Sequence, residues 1–305
     1  MVTVIIPSFN SESTIAACLN ALLNQDFAGP KEIILVDSSQ DKTPEIVRND
    51  FPEVKLIHLE QKTDPGTARN IGFKESKGDP VLFIDSDCEA EPDWMSRMVA
   101  LHQSTPYAAI GGAVLNGNEK HSAVAWAGYL AEFREFLPAY PRREVTHIPT
   151  CNISYKRKIL QESNGFDPHF YPQEDLVFNH WLTKNGQKIL FDPQIRIRHH
   201  HRTDLKQFLK HQYRIGKITA KVLKEYPLSG HGLVRNRFIL LLGVWFLPLI
   251  KWVRTLFIFL RYSADVVIRH PLSVFIFTLG LFPWGFGFLK EGMAIPQQNG
   301  TSNHE

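Results

Sequence analysis

The sequence predicts an α/β fold in which helices flank a mainly parallel sheet. Two observations support this fold class. Short apolar segments rich in β-branched residues alternate, over residues 2–94, with segments whose apolar residues recur at helical spacing. Polar or acidic residues follow several of the apolar segments, as is typical of strands that end at one edge of a parallel sheet. Strands that alternate with helices form βαβ units, which favour parallel pairing.

The elements follow in a regular order. The predicted strands are residues 2–6, 33–36, 54–59, 81–84 and 107–115. The spacing of Ile15, Leu19 and Leu22 predicts a helix after the first strand, and Pro44 can open the second helix. A third helix is expected to follow Gly66 and to end near residue 77, and a later helix is expected to begin at Glu174.

Two carboxylates directly after the fourth strand indicate a cation site. Asp85 and Asp87 are separated by one serine, so in an extended chain both can point to the same side. Carboxylates held together repel each other unless a cation lies between them, and oxygen ligands suit Mg²⁺ or Mn²⁺. An acidic turn with Ser86 as a helix cap is the alternative. Asp175 likewise has a structural alternative, because acids in the first turn of a helix interact favourably with its dipole.

Composition excludes several classes of protein. Hydrophobic residues make up 44% of the 305 residues, which is ample for a folded core. The three cysteines match no zinc pattern and indicate a reducing compartment without structural disulfides. No GxGxxG follows the first strand and no GxxxxGK[ST] is present, which disfavours a dinucleotide-binding fold and a P-loop ATPase. No signal peptide is expected at the N-terminus.

Six short motifs in order resemble family 2 glycosyltransferases, in particular membrane-associated bacterial members. The motifs are residues 4–10, 36–39, 68–72, 85–87, 165–167 and 174–175. Each motif alone is weak, but their shared order over residues 2–216 is specific. The resemblance implies a GT-A fold, Rossmann-like with a mainly parallel sheet and flanking helices, which binds a nucleotide-sugar donor.

The resemblance also implies roles for individual residues. Asp175 would be the catalytic base, with Glu174 beside it. Asp85 and Asp87 would form a DxD-type site for Mg²⁺ or Mn²⁺. The residues expected to bind the donor are Pro7, Ser8, Asn10, Asp37, Arg69, Asp85 and Ser86. Asn152 and Trp181 are expected on the acceptor side. Relatives often have two acids where this chain has Asp37 followed by serine, which leaves the identity of the nucleotide open.

The third metal ligand is expected among residues 199–201, which are all histidines. Neighbours in an extended segment alternate in direction, so His199 and His201 could share a side, whereas all three cannot reach one ion. The resemblance favours His199 as the ligand. A solvated basic patch is the alternative.

The segment after Asp204 predicts a basic amphipathic helix that ends before Pro227. Six cations fall within an arc of about 80° on a helical projection; they are Lys206, Lys210, Arg214, Lys217, Lys221 and Lys224. Such a helix beside apolar segments is typical of an anionic membrane surface. A solvated helix packed on its own domain is the alternative, and no recognition motif supports nucleic acid as a partner.

The C-terminal segments predict firm association with membrane lipids. Residues 238–250 and 272–289 carry no charge, whereas Lys251 and Arg254 interrupt the apolar pattern between them. These segments could span the membrane or form a re-entrant hairpin. The expected organisation is a catalytic domain at residues 1–205, a basic helix and linker at 206–235, a membrane-associated region at 236–292 and a disordered tail at 293–305.

The expected function is transfer of one sugar rather than processive synthesis. The QxxRW motif of processive relatives is absent, and the tail is too short for a many-helix channel. We expect an inverting, metal-dependent transferase that acts on a hydroxyl of a lipid-linked or cell-envelope glycan. Its catalytic domain is expected on the cytoplasmic face of the inner membrane. The alternatives are a sugar nucleotidyltransferase and a catalytically inactive membrane scaffold of the same fold.

Overall fold

The computed structural model describes residues 1–118 and 122–294. Within these residues, nine strands form one sheet and thirteen α-helices surround or follow it. The strands are β1 (Val2–Ser8), β2 (Lys31–Asp37), β3 (Lys55–His58), β4 (Val81–Phe83), β5 (Cys88–Ala90), β6 (Ala109–Asn116), β7 (Arg143–Val145), β8 (Ile153–Tyr155) and β9 (Ile189–His199). The α-helices are α1 (Ile15–Leu23), α2 (Thr43–Asp50), α3 (Pro65–Lys74), α4 (Trp94–Ser104), α5 (Ala123–Glu132), α6 (Arg157–Glu162), α7 (Glu174–Lys184), α8 (Leu205–Glu225), α9 (His231–Arg235), α10 (Arg237–Gly243), α11 (Leu247–Tyr262), α12 (Ala264–Arg269) and α13 (Pro271–Met293).

The sheet is parallel in its first half and mixed in its second. The strand order is β3-β2-β1-β4-β8-β6-β9-β5, and β7 also pairs with β9. The pairs β1–β2, β1–β4 and β2–β3 are parallel, as predicted. Strand β8 then runs antiparallel to both β4 and β6, and β5 and β7 run antiparallel to β9. The prediction of a mainly parallel sheet therefore describes the N-terminal half, since β8 reverses the direction where the second half begins.

An aromatic core links the end of β4 to the start of α7. All seven residues of β1 are buried, as is typical of a strand covered by helices on both faces. Phe83 of β4 meets Phe166 edge to face, with 5.4 Å between ring centroids, and Phe166 packs on Phe178 of α7 at 4.7 Å. These contacts hold the first turn of α7 close to the loop that carries Asp85 and Asp87.

Asn70 of α3 fastens the turn that precedes α7. Its amide nitrogen donates to the carbonyl oxygen of Phe166 at 2.8 Å, and its amide oxygen accepts from the Phe166 backbone N–H at 2.9 Å. Gly165 lies in the left-handed region, at φ 76°, and a Cβ there would lie 2.5 Å from the Asn70 amide oxygen. The motif that contains Asn70 and the motif that contains Phe166 therefore hold each other in place.

Helix α8 packs tightly against α13. A Cβ at Gly216 would lie 2.0 Å from the backbone oxygen of Trp284, and a Cβ at Gly287 would lie 2.2 Å from that of Tyr213. The two backbones therefore approach each other as closely as glycine allows. The apolar side of α8, expected at a membrane surface, lies instead partly against another helix of the chain.

Several cations of α8 also contact the protein, which corrects the prediction of a basic stripe on a membrane surface. Lys217 lies 3.5 Å from a carboxylate oxygen of Glu291, and the ammonium of Lys221 donates to the carbonyl oxygen of His169 at 3.1 Å. Lys206 and Lys210 remain exposed. The cations of α8 differ in their surroundings because neighbouring elements cover the C-terminal half of the helix.

The C-terminal helices expose many large apolar side chains. Phe238, Leu242 and Trp245 are each more than 70% exposed. Among the described residues, α13 is long and apolar enough to cross a membrane, with mean hydropathy 1.8, although half of its apolar window is buried as in a core helix. Helices α10 and α11 meet the same criteria of length and composition only when taken as a pair, and they are bent by 53° relative to each other. The predicted disordered tail falls largely on residues 295–305, which lie outside the described residues.

Candidate functional site

A cavity of about 970 Å³ opens at the carboxyl edge of β1 and β4. Its volume lies within the range of small-molecule binding sites. One wall carries residues that follow these strands, and the facing wall carries the first turn of α7 together with side chains from α5, α8 and α11. The sequence-predicted residues that line it are Pro7, Ser8, Arg69, Asp85, Ser86, Asp87, Glu174, Asp175 and His199.

Pairing of β5 with β9 brings Asp87 and His199 together. Cys88 lies opposite His199 in this antiparallel pair, and the backbone N–H of His200 donates to the carbonyl oxygen of Asp87 at 2.8 Å. The Nε2 atom of His199 lies 3.6 Å from Oδ1 of Asp87. Two ligands of one octahedral Mg²⁺-sized ion lie ~3 Å apart. The two side chains therefore fit a shared divalent cation after a small adjustment, and the buried Nδ1 of His199 has no hydrogen-bond partner among the described residues.

Cys88 is the site neighbour that the sequence analysis missed. Its sulfur, Asp87 and His199 offer ligand atoms within 4.8 Å of one another. Burial raises the pKa of the Cys88 thiol well above its usual value, and contact with Cys151 and the charge of Asp87 raise it further. The thiol stays protonated and donates to Asp87 at 3.6 Å, so oxygen and nitrogen ligands remain the ones suited to Mg²⁺ or Mn²⁺. The sequence signal that could have identified Cys88 is its position directly after Asp87 of the DxD motif.

Asp85 has a partner other than a metal. Oδ1 of Asp85 accepts from the Arg69 guanidinium at 2.6 Å, and the other terminal nitrogen of Arg69 donates to Oε1 of Glu174 at 2.7 Å. Asp85 is not part of the cluster formed by Asp87 and His199. The two acids of the motif, expected to share one ion, therefore act differently here, because the buried guanidinium draws Asp85 toward α7.

Glu174 and Asp175 are adjacent in sequence but occupy different environments. Glu174 is 4% exposed, and one of its carboxylate oxygens has no partner among the described residues. Burial raises the pKa of Glu174 to about 7; Arg69 opposes this rise, and the charge of Asp175 adds to it. Its side-chain hydrogen-bond partner among the described residues is Arg69.

Asp175 has the geometry of a base that faces the cavity. It is half-buried, and its carboxylate accepts from the backbone N–H groups of Thr150, at 3.2 Å, and of Leu176, at 2.7 Å. Both donors fix the orientation of the carboxylate. A carboxylate held in this way can accept a proton from a hydroxyl bound in the cavity.

The donor-binding residues divide into two groups. Ser86 and Ser8 line the cavity, and the buried hydroxyl of Ser8 has no partner among the described residues. Asp37 and Asn10 do not line it. The Asp37 side chain is fully buried and accepts from Nδ1 of His58 at 2.8 Å and from the Ser39 hydroxyl, so its direct contact with a nucleobase is not supported.

Asn10 likewise supports the loop rather than the cavity. It lies at φ 53°, and its backbone N–H donates to the Ser39 hydroxyl at 2.7 Å. The same end of the cavity is lined by Phe9, Lys62 and Thr63, with the Lys62 ammonium 3.9 Å from the centre of the Phe9 ring. Phe9 belongs to the first sequence motif, whereas no motif singled out Lys62 or Thr63.

The two residues expected on the acceptor side are structural. Asn152 is fully buried: its amide oxygen accepts from the indole N–H of Trp94 at 2.8 Å, and its amide nitrogen donates to the Ala113 carbonyl at 2.9 Å. Trp181 packs on Phe178 and lies outside the cavity. Neither side chain lines the cavity, because a polar or aromatic residue near a motif can equally satisfy the core. Basic residues of α8 and α11 line the cavity instead.

Comparison with known proteins identifies the family. The family model described as "Glycosyl transferase family 2" matches residues 3–163. The chain is 27% identical over 226 residues to "Glycosyltransferase AglE" of Haloferax volcanii, covering 72% of this chain and 73% of that protein. It is 24% identical to "Dolichyl N-acetyl-alpha-D-glucosaminyl phosphate 3-beta-D-2,3-diacetamido-2,3-dideoxy-beta-D-glucuronosyltransferase" of Methanococcus voltae, over 95% of this chain and 97% of that protein.

Solved structures support the same fold. The mannosyltransferase PcManGT from Pyrobaculum calidifontis, in complex with GDP-Man and Mn²⁺, aligns with a TM-score of 0.63 at 18% identity, covering 94% of this chain and 86% of that one. TarS 1-349 from S. aureus, in complex with UDP-GlcNAc, aligns with a TM-score of 0.52 at 19% identity, covering 94% and 90%. Since the family model covers more than half of the sequence and the architecture is shared, this chain is a glycosyltransferase of family 2 with the GT-A fold.

Proposed function

We propose that this enzyme transfers one sugar from a nucleotide-sugar donor to a hydroxyl of a lipid-linked or cell-envelope glycan, with inversion at the anomeric carbon. Mg²⁺ or Mn²⁺ assists the reaction. The observation that carries the proposal is the convergence of Asp175, Arg69 and the Asp87–His199 pair on one cavity. This places a candidate base, a buried cation and a candidate metal site around a volume that suits a donor and an acceptor hydroxyl.

The proposed reaction is a single displacement. The acceptor hydroxyl oxygen attacks the anomeric carbon, and Asp175 accepts its proton as the new glycosidic bond forms. The bond between the anomeric carbon and the donor phosphate breaks, and its electron pair leaves with the nucleoside diphosphate. Asp87 and His199 would hold the divalent cation, which when bound neutralises charge on the leaving diphosphate. One displacement from the opposite face inverts the anomeric configuration.

Arg69 connects the two sides of this site. It is 3% exposed and joins the loop after β4 to the first turn of α7 through its contacts with Asp85 and Glu174. Each carboxylate accepts one charge-assisted hydrogen bond from a different nitrogen of the guanidinium, so Arg69 bridges the two acids. We infer that it sets the spacing between the metal site and the base.

The membrane part of the proposal is supported by the exposed apolar surface of α10–α13. Such a surface is far larger than soluble monomers usually present to water. The proposed location is the inner membrane with the catalytic domain in the cytoplasm, where nucleotide sugars would reach the cavity. The relative from Methanococcus voltae, whose name includes a dolichyl phosphate, motivates the lipid-linked acceptor.

A donor screen tests the proposal. The purified protein, in phosphatidylcholine nanodiscs with Mn²⁺, is incubated with individual nucleotide sugars, and the released nucleotide is identified. We expect nucleoside diphosphate from one donor, dependent on the divalent ion and abolished by EDTA. Pyrophosphate release would indicate a nucleotidyltransferase, and no turnover of any donor would favour a scaffold. Retained stereochemistry in the product would overturn the single displacement.

A further inference from the structure

Apart from His147 and the residues at the donor and metal positions, five basic side chains line the cavity. They are Arg134, Arg202, His211, Arg214 and Lys251. Arg134 pairs with Glu135 at 3.2 Å, and His211 lies 3.3 Å from a carboxylate oxygen of Glu132. Within the described chain, no carboxylate oxygen lies within the 4.0 Å ion-pair distance of the other three. The cavity thus presents three cations whose charge the protein does not neutralise by direct pairing.

Aromatic rings hold two of these three cations in place. The Arg214 guanidinium lies 5.7 Å from the centre of the Tyr171 ring, and the Lys251 ammonium lies 4.7 Å from that of Trp284. Contacts with a ring face are weak at exposed sites, and they leave the N–H donors of both cations available. The two side chains are therefore oriented and still able to bind an anion.

Lys251 is unusual for its helix. Around it, α11 exposes apolar residues such as Leu249 and Val253. A cation on such a helix is costly unless it reaches an anion or water, and it therefore marks a functional site. The neighbouring cation on the helix, Arg254, already contacts Glu135 at 2.8 Å, whereas Lys251 faces the cavity.

We propose that Arg202, Arg214 and Lys251 bind the phosphate of a lipid-linked acceptor, that is, a phosphate or diphosphate ester carried on a long hydrocarbon chain. Phosphate matches the donors of two arginines and a lysine. The inference rests on the proposed function, because it assigns the chemical class of the acceptor for the same cavity. The phosphate is a binding group and is not consumed in the transfer.

The hydrocarbon has a surface available on the same helices. Helices α11 and α13, which carry Lys251 and Trp284 into the cavity, also enclose an apolar groove of about 630 Å³. Leu249, Phe282 and Phe286 line this groove and are mostly exposed to solvent. A ligand with an anionic head and an apolar tail would bury this surface while its head stays among the cations. A soluble sugar phosphate would leave the apolar surface uncovered.

Binding of a defined probe tests the inference without any donor. The full-length protein in phosphatidylcholine nanodiscs is titrated with geranylgeranyl phosphate and with geranylgeraniol, and intrinsic tryptophan fluorescence, to which Trp284 contributes, reports binding. We expect the phosphate to bind at least ~10-fold more tightly than the alcohol, because hydrogen bonds to charged groups are worth about 1.5–3 kcal/mol. Equal affinity would overturn the inference, and this arm requires no variant.

Matched variants then locate the phosphate. Arg214→Gln and Lys251→Gln should each weaken binding of geranylgeranyl phosphate about 10-fold or more, while Lys251→Arg should largely preserve it. Lys210→Gln removes an exposed cation of α8 outside the cavity and should leave binding unchanged. If Lys210→Gln weakened binding as much as Lys251→Gln, a general electrostatic effect would replace the proposed site.

Two competitors distinguish the source of the phosphate. Phosphatidylglycerol in the nanodisc that competes as well as geranylgeranyl phosphate would show a general headgroup site and overturn the inference. If inorganic phosphate displaced geranylgeranyl phosphate at equal concentration, the hydrocarbon would contribute nothing to binding, and the proposed lipid-linked ligand would be wrong. If the donor screen fails while phosphate-dependent binding persists, the proposed function is wrong and this inference stands. Sugar transfer to an acceptor whose affinity does not depend on its phosphate would overturn the inference alone.

Discussion

Glu174→Gln tests whether the buried carboxylate opposes folding when it is ionised. The substitution keeps the shape of the side chain that contacts Arg69 but removes its charge. Burial raises the pKa of Glu174 from 4.5 to about 7 in the folded protein. Because the folded pKa lies above the unfolded one, the stability that this group contributes is fully present below pH 4.5 and is lost as the pH rises through 7.

The size of the effect follows from these two values. Proton linkage with pKa values of 4.5 and about 7 gives wild-type protein a loss of about 2–3 kcal/mol between pH 5 and pH 8. The glutamine variant has no such titration. We therefore expect the free energy of unfolding of the variant, relative to wild type, to increase by about 2–3 kcal/mol over this range.

Urea unfolding followed by circular dichroism, in one neutral detergent at pH 5 and pH 8, measures the difference. Taking variant against wild type cancels the titration of distant groups. Glu53→Gln, at an exposed carboxylate, is the matched control and should give the same difference at both pH values. A pH-independent difference for Glu174→Gln, or one that favours wild type at pH 8, would refute the reasoning.

Three further changes test other parts of the site. Asp175→Asn should lower kcat by about 10²–10⁴-fold while donor binding survives, because it removes a general base. Asp204→Asn, at a helix cap outside the cavity, is the control. Near-normal turnover of Asp175→Asn would contradict its assignment as the base. His199→Gln should raise the Mn²⁺ concentration needed for half-maximal activity by about 10-fold or more, as a metal titration would measure. Gly216→Val should destabilise the fold by at least about 1–3 kcal/mol in thermal unfolding, whereas Gly232→Ala, with open space around it, should cost about 1 kcal/mol or less.

The N-terminal half of the fold was predictable because its elements are encoded locally. The first, second and fourth strands are continuous apolar segments, and each is buried as predicted. The helix that begins at Glu174 was also predicted from its own residues. In the second half, strands β5, β7 and β8 have only three residues each, and β8 reverses the direction of the sheet. Neither property leaves a strong periodic signal.

The roles of individual polar residues were predicted less well than their presence near the site. Asp37 and Asn152 carry the correct chemistry for ligand contacts, yet both are fully buried and occupied by neighbouring side chains. Buried polar groups must find hydrogen-bond partners, and the partner here comes from the protein. The direction and burial of the Asp37 and Asn152 side chains depend on residues that are distant in sequence, namely His58 and Trp94.

By itself, the sequence determined the α/β fold, the family, and the positions of Asp87 after a strand and of Asp175 in the first turn of a helix. These follow from local periodicity and from motifs whose order is preserved along the chain. The tertiary structure alone decided which of these groups act together. Pairing of β5 with β9 brings His199 to Asp87, and Arg69 separates Asp85 from that pair. Packing of α11 beside the cavity adds Lys251, because distances between remote segments are fixed by sheet register and helix packing rather than by local sequence.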